Sequence, residues 1–96
     1  MEDTLKNNVA LKELYKAILN LKNEKECESF FRDLCTLSEL TSFAERFDVA
    51  QKVEEGMSYR RINAETGVST ATITRVAHWL HHGMGGYKLV LERLKG

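Results

Sequence analysis

Residues 58–83 read Ser-Tyr-Arg-Arg-Ile-Asn-Ala-Glu-Thr-Gly-Val-Ser-Thr-Ala-Thr-Ile-Thr-Arg-Val-Ala-His-Trp-Leu-His-His-Gly, and this stretch decides the fold. Gly67 falls where a first short helix must end and the chain reverse; a left-handed backbone is nearly free for glycine and costly for other residues. Ser58 and Ser69 stand just ahead of the two helical stretches, each able to accept a hydrogen bond from first-turn amides that lack a partner within the helix. Ile62, Val68, Ile73, Val76 and Leu80 are spaced so that two steeply crossed helices share one apolar seam. The pattern predicts a helix-turn-helix over 58–80. Its second helix leaves Thr70, Ala71, Thr74, Arg75 and His78 outward, residues compatible with entry into a major groove. Threonine methyls and hydroxyls suit contacts to thymine and phosphate. An ordinary helical hairpin with a merely polar outer face is the competing reading of the same spacing.

Outside this stretch, composition bounds the class. The 96 residues make one domain, 1–96, short enough that association with a second copy would help it bury apolar surface. With no proline, 43% hydrophobic residues and no sustained alternation of period two, an all-α fold is expected and no strand. No apolar run is long enough to span a bilayer, and the start, Met-Glu-Asp-Thr-Leu-Lys, lacks the basic flank and apolar stretch of a secretory signal. A cytoplasmic location follows as the expectation, with disorder limited to a few residues at each end. Cys27 and Cys35 lie eight apart on one helical stretch, too far for a disulfide and without histidines at ligand spacing, so both are read as free, half-buried thiols.

The net charge is zero, but it is unevenly distributed. Residues 24–55 carry nine acidic and four basic side chains, whereas residues 56–96 carry six basic and two acidic ones. The positive excess coincides with the helix-turn-helix. Its modest size suits binding that is useful when two copies act together, not a non-specific coating of nucleic acid.

Along the rest of the chain, Val9, Leu11, Leu14, Tyr15, Ile18, Leu19 and Leu21 form a wide apolar stripe on a helix from Asn8 to Leu21. Asn23 with Glu26 reads as a capping box opening a second helix, with Phe30, Phe31 and Leu34 as its buried face and its end near Cys35. Thr36 with Glu39 repeats that arrangement ahead of the longest helix, whose Leu37, Leu40, Phe43, Ala44, Phe47, Val49, Ala50 and Val53 run on to Gly56. After the helix-turn-helix, Gly83, Gly85 and Gly86 interrupt the pattern, and Tyr87, Leu89, Val90, Leu91 and Leu94 form a closing helix. Six helices are expected.

Met57-Ser58, Arg60, Glu65, Gly67 and the run Ala71-Thr72-Ile73-Thr74-Arg75 resemble the tryptophan repressor family, and more closely its YerC/YecD-type branch. The likeness spans Thr36 to Leu80 by motif and the whole chain by helix count. It implies a six-helix fold assembled as an intertwined homodimer, with two reading heads spaced to match successive turns of a double-stranded DNA operator. Position by position, Arg60 matches a phosphate-contacting arginine, and Thr70, Ala71 and Thr74 match base-facing residues. Tyr59 and Asn63 occupy two further DNA-facing positions but differ in type from those of the tryptophan repressor, which implies a different operator. The family's effector pocket lies between the third helix and the recognition helix. Arg75 and Thr72 match pocket positions directly, and Arg46 matches a second arginine when one residue near Gly56 is deleted from the alignment. Val76 and Trp79 stand where the repressor has glycine and serine, leaving less room for an indole. Either Trp79 fills the slot and no effector is needed, or a smaller amino acid such as histidine binds.

Blander roles stand beside these. Arg75 is read as an effector clamp holding a carboxylate or as a phosphate contact. Trp79, in step with Val76 and Leu80, is read as a core residue beneath the reader rather than a ligand-stacking one. His78, His81 and His82 lack an acidic or cysteine third ligand and are read as a solvated helix end, where charged histidine is favoured. Glu54 and Glu55 precede Gly56 with no partner for acid–base chemistry. Three function classes compete: a homodimeric DNA-binding repressor; a protein-interaction module on the same scaffold, which the neutral total charge would allow; and an enzyme. Against the enzyme stands the lack of a nucleophile with a positioned base, a phosphate loop or a metal set.

Overall fold

In the computed structural model, which describes residues 7–96, the chain forms α1 (Val9–Ile18), α2 (Glu24–Leu34), α3 (Leu37–Glu54), α4 (Tyr59–Thr66), α5 (Thr70–His82) and α6 (Gly86–Lys95). Among the described residues there is no strand, and no helix is long and apolar enough to cross a membrane. The opening Met-Glu-Asp-Thr-Leu-Lys and the disorder expected there lie outside the described residues. The described residues divide into two compact units, parted between Leu37 and Ser38.

In the first unit the helix ends are set by asparagines. Asn8 Oδ1 accepts from Leu11 N at 3.0 Å and Asn23 Oδ1 from Glu26 N at 2.9 Å, so each supplies a partner to an otherwise orphaned first-turn amide. The Glu26 carboxylate accepts from Lys22 N at 3.0 Å, one residue upstream of the reciprocal capping-box partner. The first helix stops at Ile18 rather than the expected Leu21. The reason is local: Asn20 N bonds Ala17 O in a tightened turn, and Asn20 Nδ2 takes Lys16 O at 2.7 Å, diverting a carbonyl from the helical ladder. Neither α1 nor α2 contains a buried residue. Phe30 and Phe31 meet edge to face at 5.6 Å and are half-buried. Leu34, expected on the buried face, is 48% exposed, on a helix that buries none of its residues within this chain. Cys27 and Cys35 are free and half-buried, as their spacing implied.

The second unit holds the core. The C-terminus of α3 closes in a Schellman arrangement: Gly56 adopts φ +87°, its N bonds Val53 O, and Met57 N bonds Lys52 O, each at 3.0 Å. That reversal returns the chain so that Val49 and Ala50 of α3 meet Ile62 of α4, Val68 of the turn, and Ile73 and Val76 of α5, with Val53, Met57 and Tyr87 packed around them. Ile62 and Ile73 are fully buried, each contributing about 1.5–3 kcal/mol of transfer free energy relative to exposure. Along α5 the buried positions are 73, 76, 77 and 80, a single helical stripe that gives this helix one inner face and one outer face. Leu91 anchors α6.

Candidate nucleic-acid interface

The turn between α4 and α5 is fixed by side chains as well as by glycine. Ser58 Oγ accepts from Arg61 N at 3.2 Å at the start of α4. At its end Gly67 sits at φ +76°, and its N donates to Asn63 O at 2.9 Å. Asn63 Nδ2 then donates across the turn to Val68 O at 2.8 Å, while Thr66 Oγ1 donates to Ile62 O and accepts from Val68 N. Ser69 opens α5 by accepting from Thr72 N at 3.2 Å, and the two hydroxyls lie 3.1 Å apart. Three consecutive turn residues thus have their backbone groups tied to neighbours, which holds α5 at one angle to α4.

On the face so presented, Tyr59, Arg60, Asn63, Thr70, Ala71, Thr74, Arg75 and His78 are all exposed. The Thr74 hydroxyl donates to Thr70 O at 2.9 Å, which spends its proton and leaves its lone pairs and methyl group for an incoming group. Thr74 can therefore accept a hydrogen bond or touch a methyl, but not donate outward while this bond holds. Arg61 Nε pairs with Glu65 Oε2 at 2.5 Å, so its charge is balanced within α4, whereas Arg60 makes no ion pair among the described residues. Behind α4, Lys52 Nζ lies 2.6 Å from Asp48 Oδ1. That hydrogen bond, reinforced by the charges of Asp48, Glu65 and Glu55, raises the Lys52 pKa above its ordinary value of 10.5.

Between α3, α5 and α6 a cavity of about 350 Å³ brings together Arg46, Arg75, Val76 and Trp79, four of the five residues expected to line an effector pocket. Thr72 does not line it; its hydroxyl is turned to Ser69. Tyr87 of α6 lines it instead, a residue that reads in sequence only as part of the closing helix's apolar stripe. The Arg46 guanidinium stands 5.9 Å over the Phe43 ring, a cation–π distance. Trp79, expected in the core, is 53% exposed. The buried stripe admits Ala77 and Leu80, and position 79 lies about 100° around the helix from position 80, off that inner face. Its ring borders both this cavity and an apolar trough of about 470 Å³ lined by Phe47, Met84, Tyr87 and Val90.

A capped, glycine-turned helix pair with an exposed second helix, carried on an all-α scaffold, defines the molecule as a helix-turn-helix protein. Residues 9–95 match the family described as Trp repressor protein, and the chain belongs to that family. It is 47% identical over 85 residues to the YerC protein of Bacillus subtilis (strain 168), covering 88% of this chain and 82% of that protein, which places the likeness in the branch read from the sequence. It is also similar to the crystal structure of a TrpR-like protein from Eubacterium eligens ATCC 27750, with a TM-score of 0.92 and 43% identity over 97% of this chain and 95% of the other. A second solved structure, from Staphylococcus aureus, superposes with a TM-score of 0.91 at 42% identity, over 99% of this chain and 95% of that one. The six-helix, all-α fold is shared with both.

Proposed function

We propose that this protein is a sequence-specific transcriptional repressor that binds a double-stranded, palindromic DNA operator as a homodimer in the cytoplasm. The observation that carries this reading is the division of α5: its 73/76/77/80 stripe is buried, while Thr70, Ala71 and Thr74 remain exposed on the opposite side of a helix whose angle the capped turn holds. In this reading α5 enters the major groove, Thr70, Ala71 and Thr74 face bases, Arg60 takes a phosphate, and Tyr59 and Asn63 contribute from α4. The homodimer is supported by the absence of any buried residue in α1 and α2, whose apolar stripes suit burial against a second chain.

The cavity holding Arg46 and Arg75 is the proposed effector site. Two guanidinium groups on one cavity suit a carboxylate. Val76 and Trp79 crowd the space an indole would need, so the effector is a smaller amino acid such as histidine, or Trp79 itself sets the head and none is required. The test is to sequence DNA fragments retained by the purified protein, with and without a panel of free amino acids. Recovery of a two-fold symmetric motif with half-sites about one helical turn apart is the expected result. Random fragments in every condition would overturn the reading in favour of a protein-interaction module.

A further inference from the structure

The outer side of α5 carries Thr70, Thr74, His78 and His82 at a spacing of four, so they form one row along the helix. The two histidines of that row are exposed, and their ring centroids lie 5.2 Å apart with the planes inclined at 45°. We propose that His78 and His82 form a two-point chelate for a divalent transition-metal ion of the imidazole-preferring kind: Zn²⁺, Cu²⁺ or Ni²⁺.

The geometry is the argument. With ring nitrogens about 2.0–2.1 Å from an ion and about 1.1 Å from their ring centres, two imidazoles at a tetrahedral angle hold their centres about 5.2 Å apart. The observed separation agrees with that value, and a turn of the two exposed rings would aim one nitrogen of each at a shared ion. Two histidines one helical turn apart are also how helical zinc sites begin, since both side chains leave the same face. Among the described residues neither ring has an ion-pair partner, so no carboxylate competes for it. His81 is different: its ring is 6.4 Å from that of His82, and adjacent helix residues diverge by a large angle. Because no group of three or more metal-ligating side chains gathers among the described residues, the ion keeps open positions for water or for an oxygen ligand such as a phosphate. The effect of a bound ion on DNA rests on the reading of α5 as the recognition helix. An added double charge on this row would strengthen the sequence-independent part of DNA binding. The metal site itself does not depend on that reading.

The chain's single tryptophan reports on the site. The Trp79 ring lies 5.3 Å from that of His78 in an edge-to-face contact, so a chelated ion sits within about 9 Å of the indole, where paramagnetic Cu²⁺ quenches fluorescence efficiently. The experiment titrates the full-length protein with Cu²⁺, following Trp79 emission, and with Ni²⁺ by calorimetry, alongside His78→Asn, His82→Asn and His81→Asn variants whose helicity is checked by circular dichroism. Saturable quenching at one ion per chain is expected. Loss of either ligand should weaken binding at least about tenfold, since disturbing even a group that supports a ligand costs that much. His81→Asn should leave it unchanged. His82→Asn is decisive, because His78 rather than His82 makes the edge-to-face contact with Trp79. Quenching and Ni²⁺ affinity that survive His82→Asn, or that fall equally in His81→Asn, would overturn the proposal whatever the protein does with DNA.

Discussion

Gly67 and Gly83 bracket the recognition helix, and replacing each with alanine separates two physical reasons for glycine. At Gly67 a Cβ would meet nothing within 4 Å, but φ is +76°. The whole cost of Gly67→Ala is therefore conformational: about 1–2 kcal/mol for a left-handed L-residue, offset by about 0.4–1 kcal/mol from the reduced freedom of the unfolded chain. A net loss of about 1 kcal/mol is expected, or a fall of about 4–8 °C in Tm for a chain of this size. Gly67→Asn should lose less, because asparagine tolerates the left-handed region. At Gly83 φ is −85°, yet a Cβ would stand 2.4 Å from the Trp79 carbonyl oxygen and 3.3 Å from its carbon, both backbone atoms that cannot swing aside. Gly83→Ala must break the 2.9 Å bond from Gly83 N to Trp79 O and push the end of α5 away, at about 1–3 kcal/mol. Urea unfolding followed by circular dichroism and by Trp79 emission measures both. Gly83→Ala should shift the native emission spectrum, because Trp79 Cε3 is among the atoms the new methyl would meet, whereas Gly67→Ala should not. A Gly67→Asn variant as damaged as Gly67→Ala, or a neutral Gly83→Ala, would refute the separation.

Arg60→Ala should weaken binding to all DNA sequences and reduce the salt slope by about one, whereas Thr74→Ala should change which bases are preferred; fluorescence anisotropy against a panel of operators reads both, and equal effects everywhere would remove that division of labour. Asn63→Ala deletes the side-chain bond to Val68 O and should cost about 0.5–1.5 kcal/mol in urea unfolding; an unchanged midpoint would show that the turn does not need it. The raised Lys52 pKa means that its pairing with Asp48 contributes fully below the ordinary lysine value and is lost as pH climbs through the raised one. Wild type should therefore lose more stability than Lys52→Met between about pH 9 and about pH 11, measured by urea titration, and parallel losses would count against the pairing. Light scattering at micromolar concentration should return the mass of two chains; a clean monomer would remove the operator geometry.

The helix boundaries were readable in the sequence wherever one side chain settles the matter within a turn. Asn8, Asn23, Ser58 and Ser69 each cap the amide three residues on, and Gly67 takes the left-handed turn that its position implied. The seam of Ile62, Val68, Ile73, Val76 and Leu80 was equally legible, because burial on a helix follows a period that the sequence carries. What periodicity could not tell was which flank of the stripe closes. Trp79 and Ala77 both adjoin it, and only the packing of α3, α4 and α6 around α5 decides that the small residue is buried and the indole stays half-exposed.

The candidate site divides in the same way. Exposure of Thr70, Ala71 and Thr74 follows from the seam being on the other side of the helix, so one sequence suffices to find them. Their hydrogen-bonding state does not follow: the engagement of Thr74 with Thr70 O, of Asn63 with Val68 O and of Thr72 with Ser69 depends on rotamers chosen in three dimensions. The cavity depends still more on tertiary structure. Arg46 and Tyr87 are 41 positions apart on helices with no local reason to meet, and they share a wall with Arg75 only because Val49 and Ala50 draw α3 against α5 while Tyr87 packs on the same core. Local hydrogen bonds and periodic burial are written residue by residue; convergence of distant side chains is a property of how the helices pack.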